Sequence, residues 1–213
     1  MIFASNSFAA QPGHADEFTG QMASMLGVML EHDVQAGIKV SVSGTHTTEV
    51  FINSVFPDMK AYAAATANMR QSAKWVEVYM SIGNSAATVP LDSMVAEVLP
   101  GFDDAPSLSE GVIMLNMWRA LPGRLADLKG GMAIAKEMHM QHGASAVRAY
   151  QVYGGRYNGC FGYNVSFADM AAMGSWWDSA RDDNEKFFDE AGKNPSAEIQ
   201  AQVILDNPAV IGK

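Results

Sequence analysis

One cysteine, Cys160, stands among 213 residues. No internal disulfide and no paired-cysteine metal site can form from it, which fits a reducing compartment. Basic residues are scarce: 14 lysines and arginines against 23 acids give a net charge of −9. That balance lacks the basic stripe by which nucleic-acid binders are known, so no nucleic-acid partner is expected. No window approaches the roughly 20 apolar residues that span a bilayer, and no basic stretch followed by an apolar run opens the sequence as a secretory signal would. A cytoplasmic protein with no membrane partner is the expectation. GxSxG, HExxH and paired-cysteine patterns are also missing, which removes support for hydrolase and zinc-protease chemistry. Gly154-Gly155 with Gly159 is no phosphate loop, because it joins two strand-like runs instead of a strand and a helix.

Apolar residues are plentiful at 48%, and 15 of the 213 are methionine. Most methionines fall at helix or strand spacing and read as core. A shift of 110 positions lays the first half of the chain on the second. Asn6 falls on Asn116, Pro12-Gly13 on Pro122-Gly123, Met22 on Met132, His32 on His142, Phe51 on Phe161 and Val55 on Val165. A one-residue insertion placed after Val165 then pairs Phe56 with Phe167, Asp58 with Asp169 and Arg70 with Arg181.

Each half reads strand, helix, strand, strand, helix, strand. Ile2–Phe8 and Val112–Arg119 are strand-like and end at Pro-Gly turns. Helical spacing follows, with stripes Phe18, Met22, Met25, Met29 and Leu128, Met132, Ala135, Met138. Strands are expected at Ile38–Ser43, Glu49–Val55 and Ser93–Leu99, and again at Val147–Tyr153, Cys160–Phe167 and Glu198–Leu205. Asp58 and Asp169 each start a second helix, since an acid suits the positive helix end. This order defines an α+β fold of two ferredoxin-like βαββαβ repeats. Residues 1–100 form the first, 101–110 a linker and 111–213 the second. A sheet with helices on one face needs a cover on the other. Val112–Trp118 is apolar on both parities, as in a strand buried on both faces. The two sheets are therefore expected to enclose a barrel-like space within one pseudo-dimeric chain.

The opening IFASNSFAAQPG and the stretch GGRYNGCFGYNVSFADMAAMGSWW resemble the dimeric α/β-barrel superfamily, in a form where one chain supplies both halves. Its members include antibiotic-biosynthesis-type and haem-degrading monooxygenases and NIPSNAP-like proteins. The haem-degrading members carry an Asn where Asn6 and Asn116 stand, and a Trp about where Trp176 falls. Lys186 occupies the place of their haem-ligating His, and neither second helix contains a His. The resemblance thus implies no haem and no other cofactor.

Candidate residues follow. In the cofactor-free monooxygenases an Asn–Trp pairing is thought to position a phenolic substrate, which points to Asn116 and Trp118 if their face looks into the barrel, with Asn6 as the weaker equivalent. His142 and Tyr163 are candidate proton acceptors; Tyr150 and Trp176 are candidate binding rings. Each has a plainer structural role available. His32 and His142 fit C-caps of the first helices, and the tyrosines fit strand packing. His14, His46 and His139 have no counterparts and are expected on the surface. His139 and His142, three apart, lack an acidic or cysteine partner for a metal. Two functions stay open. One is a small-molecule enzyme like the cofactor-independent monooxygenases, or an isomerase or cyclase, acting on a planar or aromatic substrate in the barrel. The other is a non-catalytic binding or assembly module with a filled barrel. A small-molecule ligand is the expected partner, with a homodimer compatible.

Overall fold

The computed structural model describes residues 1–46, 48–103, 108 and 110–207. The expected linker at 101–110 therefore lies partly outside the described residues. Elements run β1 (Ile2–Ala10), α1 (Ala15–Glu31), β2 (Gln35–Gly44), β3 (Glu49–Phe56), α2 (Met59–Gln71), α3 (Ala73–Asn84) and β4 (Thr88–Val98). They continue with β5 (Val112–Ala120), α4 (Leu125–Gln141), β6 (Ala146–Val152), β7 (Phe161–Phe167), α5 (Met170–Lys193) and β8 (Ala197–Asp206). The α+β class and the element order match the sequence pattern, and β4 runs longer than expected because Thr88 reaches the far end of β1, opposite Ala10.

All eight strands pair antiparallel and close into a barrel in the order β1-β3-β2-β8-β5-β7-β6-β4. Two seams join the halves: β2 with β8, from Val40↔Asp206 to Gly44↔Val203, and β4 with β6, from Ala96↔Val152 to Val98↔Tyr150. Closure leaves no strand with a bare edge for another chain to pair with.

The interior is filled by side chains. Phe3 and Tyr150 meet with ring centroids 5.0 Å apart, the Arg148 guanidinium lies 6.0 Å from the Phe3 ring centre, and the Tyr150 hydroxyl donates to Asn164 Oδ1 at 3.3 Å. Leu115, Met117, Met94 and Val203 close the rest, leaving about 40 Å³. That is room for little more than one water molecule. The expected substrate space inside the barrel is absent, and Tyr150 is a packing residue there, fully buried.

One barrel end is tied across the halves. Arg156 donates to Glu49 Oε2 at 2.9 Å and to Ser7 Oγ at 2.9 Å, and its backbone N–H to Asp92 Oδ1 at 3.0 Å. His46 bonds Glu49 through Nδ1 at 3.0 Å and the Tyr157 hydroxyl through Nε2. His46 is therefore part of a half-buried network and not a free surface residue. At the linker, buried Lys39 donates to the carbonyls of Glu110 and Gly111, both at 2.6 Å.

Helix ends explain how the two halves differ. Asp58 and Asp169 cap α2 and α5, each side chain accepting from a backbone N–H three residues on, at 2.8 Å. The chain then breaks in the first half only: Ser72 sits at ψ 121°, ends α2, and caps α3 by accepting from the Trp75 N–H. The broken helix folds back so that Trp75, Val78 and Ile82 pack into the first half's core with Met22, Met25 and Met29. By contrast α5 runs unbroken for 24 residues and buries only Trp176 and Ala180.

Strand register also relocates the extra residue of the second half. Asn6 faces Ile52, whereas Asn116 faces Tyr163; Ile38 faces Ile52, whereas Ala149 faces Tyr163. The extra residue thus enters before β6, not after Val165. Phe51 and Val55 correspond to Gly162 and Ser166, and not to Phe161 and Val165.

Gly162 lies opposite Tyr150 with the phenol ring across its Cα. A Cβ here would overlap that ring, which is fully buried and cannot withdraw. Gly162→Ala is expected to destabilise the fold by about 2 kcal/mol or more, seen as a lower urea midpoint with an unchanged denaturant slope.

Candidate functional site

The face of β5 that carries Asn116 and Trp118 points outward, toward the helices. Its opposite parity, Ile113, Leu115 and Met117, lines the barrel. Between this outer face and helices α4 and α5 lies a cleft of about 1580 Å³, larger than most small-molecule pockets. It opens because α5 does not fold back as α2 and α3 do.

Asn116, Trp118, Tyr163 and Trp176 all line the cleft. Cross-strand pairing puts Asn116 between Tyr163 on β7 and Gln202 on β8, a polar row across three strands. Asn6 lies on the outer face of the other half and Tyr150 in the barrel, so neither joins the site. The mouth exposes Ile134, Trp177, Phe188 and Ile199. Three cations also line it, and each is already paired: Arg124 with Asp127, Arg181 with Asp178, Lys186 with Asp183. Lining acids Glu185 and Asp189 add negative charge, while Glu190 is paired with Lys193, so the cleft suits a neutral ring better than an anion.

His139, expected on the surface, is a floor residue. It is 6% exposed, and its ring centroid lies 5.8 Å from that of Tyr163 and 5.2 Å from that of Trp176. The helix ends reveal why it was missed. Both α1 and α4 close on the same C-terminal motif. The N–H of Val34 donates to Met29, and that of Ala144 to His139, each at 3.0 Å. His139 therefore occupies the place of Met29 in the buried stripe, and Met138 stands one position off it. A histidine aligned with a buried methionine was the available signal.

His142 is the C-cap of α4 through its backbone, as is His32 of α1. Its imidazole leaves the helix end and bonds Asp183 Oδ2 on α5 at 3.1 Å, holding that carboxyl below its usual range together with Lys186. This places His142 at the rim, tied to an acid, and away from the floor. Tyr163 lies in the cleft wall. Burial drives its phenol well above the usual value and keeps it protonated, a hydrogen-bond donor.

Three buried polar atoms in the cleft wall have no hydrogen-bond partner among the described residues: His139 Nδ1, the Tyr163 hydroxyl and Trp176 Nε1. Such a group costs about 1–3 kcal/mol, and three from neighbouring rings are unusual in a native fold. Burial, helped by repulsion from His142, pushes His139 down to about 4 from an ordinary 6.5, so the imidazole is neutral at physiological pH. In the window between those values the unfolded chain takes up a proton that the folded one refuses, so stability falls as pH drops through it. The loss from pH 6.5 to pH 4 is expected to reach about 3 kcal/mol. Urea unfolding of wild type and His139→Met across that range checks it: the variant should lack this component and pull ahead of wild type in acid.

No family model and no curated protein matches the chain. Solved structures do match over nearly its full length. A candidate monooxygenase from Fusobacterium nucleatum superposes with a TM-score of 0.65 at 11% identity, covering 97% of this chain and 94% of that one. An anthrone oxidase-like protein gives 0.58 at 11% identity, covering 96% and 90%. A haem-binding protein from Thermus thermophilus gives 0.53 at 11% identity, covering 96% and 90%. At these identities the likeness defines the fold: an eight-stranded antiparallel α+β architecture shared with monooxygenase-like proteins. No helix among the described residues is long and apolar enough to cross a membrane.

Proposed function

We propose that this chain is a cofactor-independent monooxygenase of tandem-repeat, pseudo-dimeric build, acting on a neutral planar aromatic substrate in the cleft between the second half's sheet and α4/α5. One observation carries the reading: Asn116, Trp118, Tyr163 and Trp176 line a single roomy cleft whose mouth exposes Ile134, Trp177, Phe188 and Ile199. The names of its structural neighbours, monooxygenase and anthrone oxidase-like, supply a reaction class to test. In that class a ring CH2 becomes a carbonyl. The substrate loses a proton, the resulting anion adds dioxygen, and the hydroperoxide formed sheds water, so one oxygen atom enters the ring and the other leaves as water.

Haem does not fit this donor set. The resemblance puts its axial ligand at Lys186, whose side chain is 76% exposed and paired with Asp183 at 3.4 Å. Among the described residues no cluster of three or more His, Cys, Asp or Glu could hold a metal ion. In this reading substrate activation falls to the protein's own groups. Asn116 and the Tyr163 hydroxyl are placed to donate to a substrate oxygen as charge develops on it. Trp118 and the exposed mouth residues offer flat apolar contact.

Anthrone is the test substrate. With a metal chelator present, the protein should consume one dioxygen per anthrone and yield anthraquinone faster than buffer does. Asn116→Ala should lower kcat/KM by about tenfold to a hundredfold. A rate equal to that of buffer across a panel of anthrones and naphthols sinks the monooxygenase reading and favours a binding module.

A further inference from the structure

Given a ring bound in the cleft, as proposed above, we infer that His139, Tyr163 and Trp176 form a receptor for one hydroxyl group on that ring, with His139 as its hydrogen-bond acceptor. The His139 ring adjoins both Tyr163 and Trp176 at the floor, each of the three is more than nine-tenths buried, and each carries a buried polar atom with no partner among the described residues.

Their hydrogen-bonding capacities fit that group. The Trp176 indole can only donate, and the Tyr163 phenol is held protonated by burial and donates. A neutral imidazole with its proton on Nε2 offers Nδ1 as an acceptor. Two donors and one acceptor complement a hydroxyl, which has two acceptor lone pairs and one O–H. A ketone oxygen would serve the two donors but leave His139 unpartnered. A carboxylate would meet the acids of the mouth. The ligand O–H then faces Nδ1 while its oxygen lies between two donors. For anthrone this is the enol tautomer.

The first half shows that the fold does not need these polar groups. Met29 holds the place of His139 at the helix end. Ile52 holds that of Tyr163, opposite the equivalent Asn. Ala65 holds that of Trp176, seven residues past the capping Asp in each case. All three are apolar, and they sit in or against a well-filled core. The same architecture thus closes without a polar cluster, and the second half carries one where its cleft is open.

The test is equilibrium dialysis of 2-naphthol and of naphthalene, rings of the same shape with and without a hydroxyl. Wild type should hold 2-naphthol about tenfold or more tightly than naphthalene. His139→Met and Tyr163→Phe should each erase most of that preference while leaving naphthalene within about twofold. His139→Met installs the first half's own residue, so it should melt no lower than wild type. Equal binding of the two ligands by wild type, or variants that weaken both in parallel, overturns the receptor and leaves the cleft reading standing; a buried water satisfying the three atoms would give the first result. If wild type binds neither ligand, the cleft reading fails and the receptor with it.

Discussion

Barrel closure sets the rest of this structure. Eight antiparallel strands satisfy one another's backbone groups around a full circle, and the seams β2–β8 and β4–β6 join the halves so that no edge is left open. A ring of eight strands has an interior that side chains can fill, and here Phe3, Tyr150 and Arg148 with several aliphatic chains occupy it. With so little space left inside, the room for a sizeable ligand lies on an outer face, under the helices. What happens there depends on one helix in each half. Ser72 breaks the first and lets α3 seal the sheet; α5 has no such break, and a cleft remains beneath it.

The order of elements could be read from the sequence because each strand and helix carries its own period and its own stop: Pro-Gly after β1 and β5, Asp at the start of α2 and α5. The orientation of β5 could not. Val112, Met114 and Trp118 on one parity and Ile113, Leu115 and Met117 on the other are all apolar, with Asn116 alone polar between them, since both faces of the strand are buried. Nothing local tells which set looks into the barrel, so Asn116 and Trp118 were expected inside it. Asn116, Trp118, Tyr163 and Trp176 do come together, one layer out from the barrel, whereas Asn6, Tyr150 and His142 lie elsewhere. The extra residue before β6 hid the rest. With the insertion placed too late, Tyr163 aligned with Asn53 instead of Ile52, and a stripe drawn through Met138 concealed that His139 replaces a core methionine. The helix-end hydrogen bonds and cross-strand pairs remove both ambiguities, and they are tertiary facts.

The site that emerges combines a destabilising floor with a permissive mouth. Three unpartnered polar atoms, one of them on an imidazole kept neutral by burial, weaken the fold locally, as functional sites often do. The lining cations of the rim, Arg124, Arg181 and Lys186, are each paired with an acid, which leaves an anion little to bind. Flat apolar side chains line the way in. A neutral aromatic molecule with one polar substituent fits all three features, and the filled barrel plays its part by holding β5, β7 and β8 rigid beneath it.

The central claim is that ligands enter the cleft between sheet and helices in the second half. A crystal soaked in 2-bromonaphthalene, with the bromine located by its anomalous signal, tests this most directly. The account predicts one bromine between β5/β7 and α4/α5, within contact of Trp118 or Trp176. A bromine inside the barrel beside Phe3 and Leu115, or beneath α1 and α3 in the first half, would contradict it.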